Sequence, residues 1–339
     1  MNLNYTGERP IPGAMLSATV NGCCFCGCTE GRVIFPKEMY FGTRKVYRYF
    51  HCSDCGALSC EDTVPVSEAY PKEYYSFQRM ERKKSLFINT KSLLRKLKAN
   101  ISLDNCLILR PVIIALFSEH YLFSWFRFAN LKKTSAILDI GCGTGSLLLY
   151  LNSCGFKNLN GIDPNIESDI LYENGVSILK KTLDDVTGKF DFIMFQNVIE
   201  HIVNPAEALI KTMNLLKENG HILIFTPVSD CYAFRKYGVY WASIDAPRHL
   251  AIPSSRSIHL IAEKANLYVK KLGFLSSTFQ FWNSELYLRN ISTMEAYGEK
   301  LNETISCKMQ MKYFLKAAKS LDNMHDGDTA IFLLKKKCT

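Results

Sequence analysis

The fold is decided by the stretch Ile137-Leu138-Asp139-Ile140-Gly141-Cys142-Gly143-Thr144-Gly145, in which three alternating glycines follow an apolar run. Residues 146–151 continue in a helical pattern. Glycines at this spacing predict a sharp strand-to-helix turn, where the backbone passes close to a ligand that larger side chains would obstruct. Gly161-Ile162-Asp163 ends the next predicted strand, and its carboxylate can accept both hydroxyls of a ribose. The stretch therefore predicts a nucleoside-binding loop.

The surrounding sequence alternates short β-rich runs with helical stretches. This alternation predicts right-handed crossovers and a Rossmann-like, doubly wound parallel sheet of the α/β class. The runs cover residues 136–140, 159–163, 176–179, 190–195 and 221–226. Two more strands are expected at residues 267–274 and 329–335, which makes seven, and the segment between them has no clear pattern.

The glycine spacing also indicates which nucleoside is bound. It is GxGxG here, whereas dinucleotide sites use GxGxxG and place the pyrophosphate at the N-terminus of the next helix. S-adenosylmethionine has no pyrophosphate, and the acidic Asp139 suits its cationic aminocarboxypropyl end. S-adenosylmethionine is therefore the expected cofactor, and a nicotinamide cofactor fits less well.

Residues 135–227 resemble the core of class I methyltransferases, in the broad type 11 and type 23 groups. The resemblance implies that the glycine loop lines the methionine end of the cofactor and that Asp163 binds the ribose. It also implies that Asp184 approaches the adenine, with Asp185 as the alternative. The implied cofactor residues are Asp139, Gly141, Cys142, Gly143, Gly145, Asp163, Asp184, Gln196 and Asn197.

The acceptor atom is partly readable from the end of the fourth strand. Enzymes that methylate amide or exocyclic nitrogens usually carry an Asn/Asp-Pro-Pro-aromatic run there, whereas this chain has Gln196-Asn197-Val198-Ile199. Oxygen or carbon is therefore favoured, and such an acceptor needs a base. His249 and His201 are the candidate catalytic bases, and Arg248 could hold a phosphate or carboxylate. The alternative for His249 and Arg248 is a structural polar cluster with Asp245.

Two CxxCG knuckles stand near the N-terminus. Cys23, Cys26, Cys52 and Cys55 are predicted to hold a structural zinc ion tetrahedrally, with the glycine after each knuckle relieving the backbone. Cys24, Cys28 and Cys60 are taken as bystanders, although Cys28 could replace a ligand. A closed four-cysteine site leaves no position for water, so its role is structural or recognitional.

Composition separates the chain into three expected regions. Its 47% hydrophobic and 22% charged residues predict a packed globular protein, with a leader and zinc ribbon at 1–76, a basic helical connector at 77–133 and the methyltransferase domain at 134–339. Residues 78–133 hold twelve Lys and Arg against three acidic residues, which matches the net charge of +9. Arg110, Pro111 and Glu119 interrupt the apolar residues 107–126, which predicts a buried or interfacial helix. With no secretory signal visible, a cytoplasmic location is expected.

The ribbon, the tyrosines Tyr70, Tyr74 and Tyr75, and the core together resemble bacterial enzymes that methylate nucleotide-linked sugars or cell-envelope glycans, including sugar C-methyltransferases. The resemblance implies methylation of oxygen or carbon on a polar small molecule. An RNA methyltransferase that grips RNA with the ribbon and basic helices is the first alternative, although nucleic acid is not the expected partner. A non-catalytic zinc-binding scaffold is the second. The sequence leaves the oligomeric state open.

Overall fold

A computed structural model describes residues 22–62, 88–103, 119–298 and 305–337. In chain order the strands are β1 Gly31–Ile34, β2 Tyr49–Cys52, β3 Leu58–Cys60, β4 Ile137–Ile140, β5 Leu159–Ile162, β6 Ile170–Leu171, β7 Ser177–Leu179, β8 Phe190–Gln196, β9 Leu216–Pro227, β10 Ala251–Ile252, β11 Leu267–Phe274 and β12 Thr329–Lys336. The α-helices are α1 Ile88–Leu103, α2 Leu122–Phe128, α3 Ser146–Ser153, α4 Pro205–Leu215, α5 Tyr232–Tyr237, α6 Ser255–Lys264, α7 Phe279–Leu288, α8 Thr293–Gly298 and α9 Ile305–Asn323.

The chain divides into two compact units that do not follow the three regions expected from sequence. The first unit combines residues 1–63, 228–257 and 274–328, and the second combines 64–227, 258–273 and 329–339. Segments from the expected methyltransferase region therefore join the cysteine-rich segment in the first unit. The described parts of the basic connector, residues 88–103 and 119–133, belong to the second unit.

The second unit is built on an eight-stranded sheet in the order β11-β12-β9-β8-β4-β5-β7-β6. The seven expected strands are all present, and the two-residue β6 is the eighth, antiparallel to β7 at the edge. The strands β4, β5, β7, β8 and β9 run parallel, as predicted. Their carboxyl ends therefore meet at one edge of the sheet, where open α/β sheets bind ligands.

The core of the second unit forms because strands such as β4, Ile-Leu-Asp-Ile, are buried on both faces. Ile137, Phe192 and Leu223 lie in three neighbouring strands and are fully buried, together with Leu148 of α3 and Phe126 of α2. Helices α1 and α2 fall in the region predicted to be helical. In the part of the chain that the structure describes, no helix is long and apolar enough to cross a bilayer. Residues 107–118 of the apolar stretch lie outside that part, as do the leader and the tyrosines at 70–75.

The first unit contains a four-stranded antiparallel sheet in the order β1-β2-β3-β10. The fourth strand comes from far along the chain, since Ala251 pairs with Ser59. Helices α7, α8 and α9 occupy most of the segment that showed no clear pattern in the sequence. A small core of Met39, Ala242, Leu286, Tyr287 and Ala296 connects the helices to the residues after β1.

Candidate cofactor site and cysteine cluster

The glycine loop leaves β4 in a conformation that requires glycine. Gly141, Gly143 and Gly145 all have positive φ angles, of 66°, 54° and 79°. A Cβ atom on Gly141 would lie 2.7 Å from Cγ2 of Val198. The Gly141 amide donates to the Ile162 carbonyl at 2.8 Å, so the loop is fixed to the end of β5. These constraints set the start of α3 at Ser146.

Asp163 follows β5, and its carboxylate holds the glycine loop through a hydrogen bond to the backbone. Its Oδ2 accepts the amide proton of Gly143 at 2.8 Å, and its Oδ1 accepts that of Asn165 at 2.8 Å. The residue is buried, with 6% of its surface exposed. Each carboxylate oxygen has a further lone pair, so Asp163 can still accept hydroxyl protons from a ligand.

Asp139 lies within β4, next to the loop, and is buried. Its Oδ1 has no hydrogen-bond partner. Burial, and then the negative charge of Asp163, raise the pKa of Asp139 to about 8. A buried carboxyl group without a donor is costly, so this position favours a cationic ligand that would restore the ionised form.

Gln196 ends β8 and contributes a second unsatisfied atom. The Tyr121 hydroxyl donates to its Oε1 at 2.5 Å, while its buried Nε2 has no partner. Burial, and then the charge of Asp139, raise the pKa of Tyr121, which keeps this hydroxyl protonated. The register of β4 with β8 pairs Asp139 with Met194 and Ile140 with Phe195. Gln196 therefore continues this register at the carboxyl end of the sheet.

The remaining residues of the loop and strand end have backbone or packing roles. Cys142 donates its amide proton to Ile162, and its Sγ packs over Gly161, where a Cβ atom would lie 2.6 Å away. Burial raises the pKa of the Cys142 thiol. Asn197 is exposed, takes a positive φ of 52° and donates its amide proton to the Phe225 carbonyl at 2.8 Å. It thus forms the turn after β8.

The two acidic residues after β7 have different partners. Asp184 is 65% exposed and forms an ion pair with Lys211 at 2.6 Å. Asp185 accepts the amide and hydroxyl protons of Thr182, and these hydrogen bonds lower its pKa. Asp185 therefore caps the short helix Leu183–Asp185. Of the two, Asp184 remains the candidate for the adenine.

These atoms fit S-adenosylmethionine by the chemistry of their donors and acceptors. An α-ammonium group can donate to Asp139 Oδ1, and an α-carboxylate can accept from Nε2 of Gln196. Asp163 retains acceptor capacity for ribose hydroxyls. The positive-φ loop leaves the backbone without side chains that would block a nucleoside.

The comparisons with known proteins agree with this chemistry. Residues 115–272 match the family model described as a methyltransferase domain. Residues 115–272, a little under half of the chain, are therefore similar to methyltransferase domains. The matched residues include the glycine loop and both candidate histidines.

Curated relatives match part of the chain. A ubiquinone biosynthesis O-methyltransferase of Rickettsia canadensis (strain McKiel) is 35% identical over 99 residues, which cover 26% of this chain and 42% of that protein. The mitochondrial ubiquinone biosynthesis O-methyltransferase of Saccharomyces cerevisiae is 31% identical over 113 residues, which cover 30% of this chain and 36% of that protein. A cyclopropane synthase structure from Mycobacterium tuberculosis aligns with 16% identity and a TM-score of 0.41, over 63% of this chain and 83% of that one. The chain matches less than half the length of these two curated relatives.

The candidate bases lie in different units. His201 is half-buried in the short helix Ile199–His201 of the second unit, and its amide donates to the Val198 carbonyl. His249 is in the first unit, with Nδ1 2.8 Å from the Ser243 carbonyl oxygen. A carbonyl only accepts, so Nδ1 carries the proton and Nε2 is the basic nitrogen of the neutral ring.

The sequence suggested that Arg248 could bind an acceptor's phosphate or carboxylate, but in the structure Arg248 pairs with carboxylates of the protein itself. Its side chain is only 1% exposed and pairs with Glu38 at 3.1 Å and with Asp245 at 2.5 Å. The guanidinium also lies over the rings of Tyr40 and Phe41, at 5.3 and 5.1 Å from their centroids. The protein's own carboxylates occupy this fork, so Arg248 belongs to the structural polar cluster that was the alternative reading.

The four predicted metal ligands lie together in the first unit. The Sγ atoms of Cys23, Cys26, Cys52 and Cys55 are all within 4.8 Å of one another. The closest pairs, Cys23 with Cys55 and Cys26 with Cys52, are 3.5 Å apart. Zinc–sulfur bonds of about 2.3 Å in a tetrahedron place sulfurs about 3.8 Å apart, so the cluster fits zinc in size. The bystander Cys28 has its Sγ 3.7 Å from the Glu30 carbonyl.

The knuckles have the turn geometry that the CxxCG pattern implies. Gly27 and Gly56 have positive φ angles of 84° and 76°. The Gly27 amide donates to the Cys23 carbonyl at 2.8 Å, and the Gly56 amide donates to the Cys52 carbonyl at 3.1 Å. The glycines close each turn so that both thiols of a knuckle face the same point.

Sequence reasoning missed two tyrosines of the cofactor site. Tyr121 binds Gln196, and the Tyr172 hydroxyl donates to the Thr144 carbonyl at 2.7 Å inside the glycine loop. Both lie outside the glycine motif, one before α2 and one after β6. No sequence spacing connects them to the loop, so only the fold could identify them.

Proposed function

We propose that this protein transfers a methyl group from S-adenosylmethionine to a hydroxyl oxygen of a small molecule. One observation carries the proposal: Asp139 and Gln196 present two buried, unsatisfied polar atoms beside the glycine loop. S-adenosylmethionine supplies an electrophilic methyl group on a sulfonium. The chain's part is to bind this cofactor through Asp139, Gln196 and Asp163, and to align the acceptor.

Two observations support a hydroxyl oxygen as the methyl acceptor. The run Gln196-Asn197-Val198-Ile199 lacks the pattern of exocyclic-nitrogen methyltransferases, and both curated relatives are named O-methyltransferases. Oxygen is therefore preferred over carbon. The two hydroxyl acceptors to test are nucleotide-linked sugars, as the sequence implied, and hydroxylated ubiquinone precursors, as the relatives' names imply.

His249 is the proposed base. As a carbon–oxygen bond forms and the carbon–sulfonium bond breaks, the hydroxyl proton would pass to Nε2 of His249, which the Ser243 carbonyl leaves as the basic nitrogen. We expect His249→Ala to abolish turnover while S-adenosylmethionine still binds. His201→Ala tests the alternative base in the same assay. Full turnover by the His249 variant would remove it from the mechanism.

The cysteine cluster is proposed to bind one structural zinc ion. Four thiolates in two knuckles complete a tetrahedral site, and a closed site has no position for a water or an acceptor. The zinc therefore stabilises the first unit and takes no part in methyl transfer.

The proposal is tested by calorimetric titration with S-adenosylmethionine and S-adenosylhomocysteine. We expect wild-type protein to bind both and Asp163→Ala to bind about tenfold or more weakly, because it loses charge-assisted hydrogen bonds. Asp191→Ala is the matched control, because Asp191 stands near the amino end of β8 and accepts the Ala136 amide proton and a Lys217 ammonium proton. Folded, zinc-loaded protein that binds neither ligand would contradict the enzyme function and favour a scaffold.

A further inference from the structure

Among the side chains of helix α1 that the structure describes, one face is buried and another is exposed and apolar. The inner face buries Ala99 and Ser102 against the rest of the second unit. Arg95 strengthens this contact by lying over the Tyr150 ring and donating to Ser153. The inner face therefore fixes the orientation of the helix.

The outer face is exposed and aliphatic. Leu93, Leu94 and Leu97 expose 69%, 53% and 53% of their surfaces. With 3.6 residues per turn, Leu93 and Leu97 lie one turn apart, on the side opposite Ala99. Three adjacent leucines with this exposure form a patch that a soluble surface rarely presents without a partner.

The surroundings of this patch are strongly basic. Helix α1 contains Lys91, Arg95, Lys96 and Lys98 and has no Asp or Glu. A cavity of about 370 Å³, lined by Asn100, Arg127, Lys132 and Lys133, adds two lysines at the C-terminal end of α1, while Arg127 is paired with Glu119. Lys133 donates to the Lys96 carbonyl at 3.2 Å, so this cavity and the helix are continuous.

Another exposed apolar residue of the second unit also has basic neighbours. Phe128 at the end of α2 is 39% exposed. The Nζ atoms of Lys270 and Lys271 lie 5.1 and 4.6 Å from the centroid of its ring. Arg127 donates to the Ser102 carbonyl, so the C-terminal ends of α1 and α2 meet.

We propose that α1, Phe128 and the flanking lysines form a docking surface for a membrane that contains anionic lipids. The leucines would enter the boundary between headgroups and acyl chains, while the lysines meet lipid phosphates, which is the arrangement of interfacial amphipathic helices. The surface does not depend on the proposed methyl transfer.

Two other occupants fit the surface less well. Single-stranded RNA binds on aromatic side chains that stack with bases, whereas the outer face of α1 is aliphatic. A second copy in a two-fold dimer would place the same basic surface against itself. Anionic lipid complements both the apolar stripe and the charge.

The test is flotation of the full-length protein with vesicles of phosphatidylcholine alone or mixed with phosphatidylglycerol. We expect binding to the mixed vesicles only, weakened by salt because surface charges are screened. Leu94→Ser/Leu97→Ser and, separately, Lys96→Glu should each lower the fraction bound by about tenfold. Leu171→Ser is the matched control, since Leu171 is 74% exposed on β6.

Melting temperature and S-adenosylmethionine affinity are measured on each variant to separate a docking defect from a folding defect. Both should match wild type. The proposal is overturned if anionic vesicles leave the protein unbound or if Leu171→Ser has the same effect as the α1 variants. It is also overturned if the protein is a dimer that the α1 double variant separates, or if this face binds RNA in a salt-sensitive way and binds no vesicles.

Discussion

Asp139 combines a proposed binding role with a cost in stability. Its carboxyl group is buried, its Oδ1 lacks a donor, and its pKa is about 8 in the folded chain. In an unfolded chain the pKa of an aspartate is about 3.9. The stability that Asp139 contributes is therefore fully present below about pH 4 and is lost as the pH rises through about 8. A site prepared for a cation thus weakens the protein when the cation is absent.

We predict that Asp139→Asn raises the free energy of unfolding of the cofactor-free protein by roughly 2–5 kcal/mol near pH 8, with the gain disappearing towards about pH 4. The same variant should bind S-adenosylmethionine about tenfold or more weakly, because the ammonium loses a charged acceptor. Urea unfolding across this pH range measures the first effect, and calorimetry measures the second. Asp191→Asn should instead destabilise, because Lys217 and the Ala136 amide lower the Asp191 pKa against its partial desolvation. A pH-independent gain for Asp139→Asn would contradict this account.

Tyr121 is a positioning residue, because it acts through Gln196. We predict that Tyr121→Phe weakens S-adenosylmethionine binding by about three- to tenfold, as expected for one lost hydrogen bond, since the freed Gln196 amide can rotate away. Tyr150→Phe is the control in the same aromatic group, where His120 lies 4.9 Å from the Tyr150 ring. Calorimetric titration should show the loss for Tyr121 only, and an equal loss in both variants would indicate a general packing effect.

At the scale of secondary structure, the main strands of the large sheet could be predicted from the sequence. The packing of α1 and the short strand β6 could not. The strands β4 and β8 and the second half of β9, residues 221–227, are largely buried on both faces and consist mostly of apolar residues, which is why the sequence located them. Helix α1 lies in the connector that was predicted to be helical, but the sequence could not tell which face of the helix packs. The strand β6 was not predicted, because a strand of two residues is too short to show a periodic pattern.

Gly161 shows how closely one strand meets the glycine loop. A Cβ atom there would lie 2.6 Å from Cys142 Sγ and from Ile178 Cδ1, and 2.8 Å from Leu148 Cδ1. The absence of a side chain lets α3 and the loop approach β5. The cofactor site therefore depends on a residue that makes no contact through a side chain.

We predict that Gly161→Ala lowers the free energy of unfolding by about 1–3 kcal/mol through overpacking and also weakens cofactor binding. Adding Ile178→Val, which removes Cδ1, should restore part of the stability. Gly298→Ala is the control, because a Cβ atom there meets nothing within 4 Å. Denaturant unfolding of the three variants checks this, and a Gly161→Ala protein as stable as wild type would contradict it.

At the scale of the whole molecule, the first unit could not be derived from sequence. Its sheet pairs β3 with β10, and its buried ion pair joins Arg248 to Glu38, which lies 210 residues away. Local patterns contain no information about such distant partners. The knuckles, by contrast, were readable because their two cysteines and glycine are local.

We predict that removing zinc with a chelator loosens the first unit selectively. Structural zinc supplies folding energy directly, so peptides from β1, β2, β3 and β10 should exchange amide hydrogens faster, while those from β4, β8 and β9 stay protected. Hydrogen exchange read by mass spectrometry measures this, with zinc content determined on the same sample. Cys24→Ser should retain the metal, since the Cys24 Sγ lies 3.2 Å from Ser59 Oγ. Unchanged exchange after metal loss would show that the cluster is not structural.

The cysteine-rich sheet contains strands that are far apart along the chain, and this separation affects folding during synthesis. The Ser254 hydroxyl donates to the carbonyl of Cys55 in the second cysteine knuckle, 199 residues earlier. A ribosome adding 5–20 residues per second needs roughly 10–40 s to supply that partner. During this interval the edge of β3 emerges without β10, and it is open to pairing with other nascent chains. Early metal capture by the knuckles would keep the waiting segment ordered until its distant strand arrives.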